Sequence, residues 1–395
     1  MCIRDSPLET EPIGRLILKY SVPTALTLMV NYLYNIVDQM FVGQGVGITG
    51  MAATNVAFPL TIIATALGLL IGDGGAANIS LCLGRKEQEK ADKIAGHAVT
   101  MLIIAGVSLW LVSSLFAPGL VRILGATETA FQNSLTYTRT IAWGLPFLML
   151  CTSLTAIIRA DGNPKYTMKC MMTGAFINIV LDWLFIFPCH MGVFGAGLAT
   201  VIGQIVSGSL CFAYLRKLKT VHIHKEALKL TGPLVGNILS LGFPSLITQI
   251  MTAVVQIIMN NLMRICGAQS VFGSDIALSV YGMMMKIYQI AHAMFVGVSS
   301  ATQPINGYNF GAKHYDRVRK TYKTAAAIAI IISAVWFVVY QLLPGQIAGL
   351  FVSGNPLYTE CAIHCFRIYM MAFFLYGLHI CLLYTSPSPR DSTSS

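Results

Sequence analysis

Apolar stretches of about twenty residues recur along the whole 395-residue chain. Each is long enough to carry a helix across ~30 Å of hydrocarbon. Backbone groups in lipid must be satisfied internally, so runs of this length are read as membrane-spanning α-helices. Composition agrees: 55% of the residues are hydrophobic and 11% charged, against about 25% charged in soluble domains. The expected fold class is an all-α polytopic membrane protein. Ten helices are expected, near residues 16–42, 52–80, 97–117, 138–158, 167–189, 194–215, 236–263, 275–303, 323–343 and 361–383. The ten Cys form no CxxC pair and no Cys/His zinc spacing, and are read as small buried side chains.

A net charge of +10 can point to nucleic acid, but its placement here points to a membrane. The loops after the second, fourth, sixth and eighth helices, with the helix ends beside them, hold 17 Lys or Arg. The opposite loops and helix starts hold four: Arg122, Arg139, Arg264 and Arg367. By the positive-inside rule the N-terminus and the basic loops are expected in the cytoplasm. A nucleic-acid surface would interleave base-reading or aromatic groups with these charges, and none are found.

The chain also repeats itself. ILKYSVP at 17–23 aligns with ILSLGFP at 238–244, LGRKEQEKADK at 83–93 with FGAKHYDRVRK at 310–320, and Arg139 with Arg367, at offsets of 221, 227 and 228. Three matches in the same order indicate a duplicated six-helix unit. Parallel repeats pack as two lobes with substrate between them. The lobes are expected at 10–217 and 236–383, joined by a basic linker at 218–235. The second copy would need two more helices than these ten. Residues 1–9 and 384–395, whose MCIRDS and YTSPSPRDSTSS are unlike membrane sequence, are expected to be a non-native leader and tail.

Polar residues inside the spans locate function. On a helix, positions i, i+4 and i+7 share a face. Asn31, Asn35 and Asp38 have that spacing, and Asn178 with Asp182, and Thr200 with Gln204, are i, i+4 pairs. A carboxylate at mid-membrane is disfavoured by about 2.5–3.5 kcal/mol on insertion scales and is usually functional. Three converging stripes would form an oxygen-lined pocket. It could replace the hydration shell of a small cation such as Na⁺, or load and release a proton. The plainer reading is polar glue between helices. Met259 aligns with Asp38 in the second copy, so the ion site is expected on one side only. Lys286, beside Met283, either lines the central cavity or snorkels to an interface. Asp73, flanked by glycines in IGDGGAANIS, suggests tight packing or gating.

With these residues in view, the chain resembles the multidrug and toxic compound extrusion (MATE) family. The resemblance rests on VDQMFVG at 37–43, GDGGAANISLCLGR at 72–85, RADGNP at 159–164, NIVLD at 178–182 and QPINGYNFGAKHYDRVRK at 303–320. It implies two six-helix lobes and an exporter in the cell (inner) membrane for bulky, mostly cationic amphiphiles, driven by Na⁺ or H⁺ through alternating access. It places the coupling cation on Asp38, Asn178, Asp182 and Thr200. Asn31, Asn35, Gln204, Met283 and Lys286 are the expected substrate-cavity residues. No cofactor and no nucleotide are expected, since there is no P-loop, and the chain is expected to act as a monomer among membrane lipid. The alternative within transport is a flippase for lipid-linked oligosaccharide or polyisoprenoid, which would line its cavity with several Lys or Arg. An integral-membrane enzyme would need a His/Asp/Glu cluster. The only close His pair, His222 and His224, lies in the basic linker, where a solvated amphipathic segment is the ordinary reading.

Overall fold

A computed structural model describes residues 11–46, 48–124, 131–351, 356–373 and 376. The regular elements among them are all helical. The long ones are α1 (Ile13–Gly45), α2 (Ile48–Gly84), α3 (Gln88–Leu115), α7 (Pro164–Ile186), α8 (Gly192–Tyr214), α9 (Gly232–Ala268), α10 (Gly273–Gly311) and α11 (Tyr315–Leu342). Shorter ones are α4 (Ala117–Ile123), α5 (Phe131–Ala142), α6 (Leu145–Ala160), α12 (Pro344–Phe351) and α13 (Pro356–Tyr369). Among the described residues, seven helices are long and apolar enough to cross a membrane, and the bent pair α5 and α6 would make an eighth. The chain is thus a multi-pass membrane protein. The helix expected at 275–303 is present as α10, although it is not one of those seven.

Two expected helices differ in detail. The fourth, at 138–158, is not one rod: α5 and α6 meet at a 50° bend. Pro146, at the start of α6, has no N–H to continue the ladder, and the chain turns through Trp143 and Gly144. The tenth starts earlier than expected, at Pro356. Its α-helix ends at Tyr369 and continues as a 3₁₀ turn, Met370–Ala372. Beyond Phe373, all of that segment but Tyr376 lies outside the described residues, as do the expected leader and tail.

The helices gather into two compact units. One contains residues 26–247 and 307–314, the other residues 11–25, 248–306 and the described residues from 315 onward. In the first, α2, α3, α6, α7 and α8 enclose a core that includes Ile79, Ile94, Leu102, Leu154, Ile158 and Cys211. Glycines let these helices approach closely. A methyl group at Gly174 would overlap the Ser207 hydroxyl, and one at Gly203 would stand 2.9 Å from the Gly174 carbonyl oxygen. In the second unit, Tyr340, Phe366, Phe373 and Phe295 form an aromatic core, with Tyr340 and Phe373 edge to face at 5.1 Å.

RADGNP is a compact turn in which each residue has a task. Gly162 (φ 91°) takes the left-handed position after α6, which costs least without a Cβ. The Asn163 side chain caps α7 by accepting from the Tyr166 N–H at 3.3 Å, and Pro164 supplies the first-turn φ. The Asp161 carboxylate accepts from the backbone N–H groups of Lys219 and Thr220, the Thr220 hydroxyl and the Tyr214 hydroxyl at 2.7–3.0 Å. That carboxylate anchors the start of the linker. Further along, the linker docks on α3: the Asp92 carboxylate accepts from His222 N–H at 2.8 Å, and the His97 ring bonds Ala227 and Thr231. Leu218, Val221 and Ala227 are buried while His222 and His224 face solvent. The linker is therefore amphipathic, and it is also strapped down.

The duplication is legible in the backbone. Short helices α4 and α12 follow α3 and α11 at equivalent places. Lys86 and Lys313, 227 residues apart, both adopt left-handed φ, 63° and 62°. Each closes its helix with the same bonds: Glu87 N–H to Cys82 O and Lys86 N–H to Leu83 O, then His314 N–H to Asn309 O and Lys313 N–H to Phe310 O. This paired-bond ending satisfies helix-terminal carbonyls that would otherwise lack partners.

Candidate ion-coupling site

Within the first unit, α1, α5, α7 and α8 bring acids and hydroxyls together. Asp38 on α1 and Asp182 on α7 lie in direct side-chain contact. Asp182 is fully buried and Asn178, one turn earlier, is 3% exposed. The Asn178 side chain lies within electrostatic reach of Asp182 without a hydrogen bond to it. The α7–α8 crossing sets this geometry: a Cβ at Gly203 would stand 3.1 Å from the Asn178 Cβ. Thr200, one helical turn before Gly203's neighbour Gln204, donates its hydroxyl to the Ala196 carbonyl at 3.0 Å. The end of α1 is held beside α7 by Phe41 against Phe187, edge to face at 5.8 Å, and by Gly45 against Ile186.

Two tyrosines that the sequence reading passed over complete the pocket. Tyr34 and Tyr137 both lie within electrostatic reach of Asp38 and Asp182, and Tyr137 also approaches Thr200. Tyr34 is one turn before Asp38 on the same face, a signal that i, i+4 spacing offered. Tyr137 comes from α5 and packs into the cluster of Val42, Ala57, Ile141, Ile186 and Ala196. No spacing within one helix could reveal it.

The pocket's chemistry follows from its unpaired polar atoms, nearly all of them acceptor oxygens. Asp38 Oδ1, both Asp182 carboxyl oxygens, both polar atoms of Asn178 and Gln204 Oε1 are buried without a hydrogen-bond partner among the described residues. Buried polar atoms are normally satisfied, and each orphan needs an explanation. Two adjacent carboxyls that are both ionised repel one another, and withdrawing each from water costs several kcal/mol. A shared proton or a bound cation removes both penalties. Acceptor oxygens, with no Lys or Arg beside them among the described residues, suit a hard cation or a proton.

The remaining candidates scatter. Gln204 fits against the α5–α6 bend, where a methyl at Gly144 would overlap its side-chain oxygen. Asn35 is exposed, and its amide donates to the Asn31 carbonyl at 2.8 Å, so the α1 stripe does not enter the pocket as a whole. Met283 (4% exposed) and Lys286 (exposed) lie on α10, in the other compact unit.

A fold of repeated helical units with a buried carboxylate pair in one of them defines a class of multi-pass membrane transporter. The MatE family model matches residues 23–184 and again 244–385, so this chain belongs to the MATE family of multidrug efflux transporters. The two matched segments begin at Pro23 and Pro244, the residues the internal repeat aligns. Among curated relatives, the probable multidrug resistance protein YoeA of Bacillus subtilis is 26% identical over 368 residues, 91% of this chain and 77% of its own. The multidrug export protein MepA of Staphylococcus haemolyticus is 24% identical over 94% of this chain and 80% of its own. A solved outward-facing multidrug resistance MATE family transporter superposes with a TM-score of 0.86 at 25% identity, over 96% of this chain and 83% of the other.

Proposed function

We propose that this protein exports amphiphilic, mostly cationic organic compounds in exchange for Na⁺ or H⁺, with Asp38 as the coupling residue. The observation that carries the reading is the carboxyl pair, Asp38 against Asp182, with buried oxygens that have no hydrogen-bond partner among the described residues. Loading the pair with a cation or proton stabilises the packing of α1 on α7. Releasing it restores repulsion and loosens that contact. Ion movement is thereby tied to the shape of the surrounding cavity. Asn178 and Thr200 complete the ligand set, and Tyr34 and Tyr137 position the carboxyls. The basic loops face the cytoplasm, where positive-inside asymmetry places them.

The test is ethidium efflux from cells lacking their own pumps, with Na⁺ and pH gradients imposed separately. Wild-type protein should clear ethidium under at least one gradient. Asp38→Asn, at equal membrane abundance, should leave efflux at background. Gradient-driven efflux by Asp38→Asn at the wild-type rate would refute the coupling role.

A further inference from the structure

The two repeats meet themselves in register at close-packed glycines. Near the ends of α2 and α10, a methyl at Gly84 would overlap the Tyr308 carbonyl oxygen, and one at Gly311 would overlap that of Leu81. Gly84 and Gly311, like Leu81 and Tyr308, are 227 residues apart. The two contacts are therefore mates under the internal symmetry.

A second pair follows the same rule. A methyl at Gly242 on α9 would overlap the Leu70 carbonyl oxygen on α2, while one at Gly297 on α10 would stand 2.9 Å from the Ser21 carbonyl oxygen on α1. Leu70 and Gly297 are again 227 apart, and Ser21 and Gly242 are 221 apart. Such backbone approaches are typical of close helix crossings with Cα–H···O contacts.

The mates differ in polarity. At the α2–α9 crossing the Ser245 hydroxyl donates to the buried Asp73 carboxylate at 2.7 Å, and Arg159 on α6 lies within its electrostatic reach. The Asn78 amide there donates to the Asn237 carbonyl at 3.2 Å. At the α1–α10 crossing the equivalents of Ser245 and Asp73 are Thr24 and Ser300. Thr24 spends its hydroxyl on its own helix, donating to the Tyr20 carbonyl at 2.9 Å.

We propose that the Asp73–Ser245 bond latches the α2–α9 crossing, and that breaking it is what lets this crossing open. The inference rests on the export reading, which needs a side that opens and closes. The glycine contacts at this crossing supply surfaces that can part without repacking large side chains. The polar latch sets how readily they part. A charge-assisted hydrogen bond in a shielded place is strong enough to bias such an equilibrium, yet can be remade on closure.

The experiment reads opening directly. Ser80 lies further along α2, 1% exposed, its Cβ 2.8 Å from where a Gly307 side chain would begin, and its hydroxyl has no partner among the described residues. Ser80→Cys is thus a mild reporter substitution. In detergent-solubilised full chain, maleimide labelling at position 80 is followed by peptide mass spectrometry, with Cys211, buried in the helical core, as the internal reference. Ser245→Ala should speed labelling at position 80 by about tenfold, the change expected for losing one hydrogen bond to a charged acceptor. Thr24→Ala at the mirror position should leave it unchanged. No acceleration with Ser245→Ala, or an equal acceleration at Cys211, overturns the latch. Ethidium efflux by the same variants is measured in parallel. If wild-type protein moves no ethidium, the export reading falls, and the labelling still decides the latch.

Discussion

Asp38 in the first repeat and Met259 in the second occupy equivalent positions on α1 and α9. One carries an acid held against Asp182; the other carries a thioether. Elsewhere the two repeats agree closely. The left-handed lysines at 86 and 313, the paired helix-ending bonds and the reciprocal contacts of Gly84 and Gly311 coincide. The contrast separates two jobs. Backbone geometry, which governs how helices cross and part, is kept in both copies. The acids differ: Asp38 and Asp73 of the first copy stand where the second has Met259 and Ser300 at the equivalent positions. A transporter needs two surfaces that move alike, but one coupling site suffices to bias the movement.

That division can be attacked. The largest effect is expected from moving the acid. Met259→Asp introduced beside Asp38→Asn should not restore ethidium efflux, because the acid alone lacks the Asp182 and Asn178 partners that make the first site. Recovery to more than about a tenth of wild-type efflux would show that the repeats are chemically interchangeable. The smallest effect concerns the shared backbone. Lys86→Gly and Lys313→Gly each relieve a left-handed strain of about 1–2 kcal/mol, less the entropy that glycine adds to the unfolded chain. Each should stabilise the protein by about 0.5–1 kcal/mol, read as a rise in thermal midpoint in detergent. Opposite signs at the two positions would mean that the turns are not equivalent.

Much of this was legible before any coordinates. Helix positions followed from apolar length, the duplication from three aligned segments, and the acids from their cost in lipid. What was hidden has a common physical character. The break between α5 and α6 depends on Pro146 and Gly144 meeting a space filled by Gln204, and a hydropathy window does not see that. Tyr137 reaches the acids from a different helix, so only tertiary packing brings it there. The linker read as a solvated basic segment, because its anchors, Asp161, Asp92 and His97, lie 58 to 134 residues away in sequence. The suspicion that Asp73 belongs to a packing or gating element came from its flanking glycines. Its bond to Ser245, 172 residues further on, could not be foreseen.

The central claim is that a mobile cation or proton resides between Asp38 and Asp182 and leaves when substrate is bound or moved. The direct measurement is ion release from purified protein on adding ethidium, read as proton release in weakly buffered solution and, in parallel, as Na⁺ release with a sodium electrode. Wild-type protein should release one of the two ions, and Asp38→Asn, still binding ethidium, should release neither. Equal release by the two proteins would contradict the account.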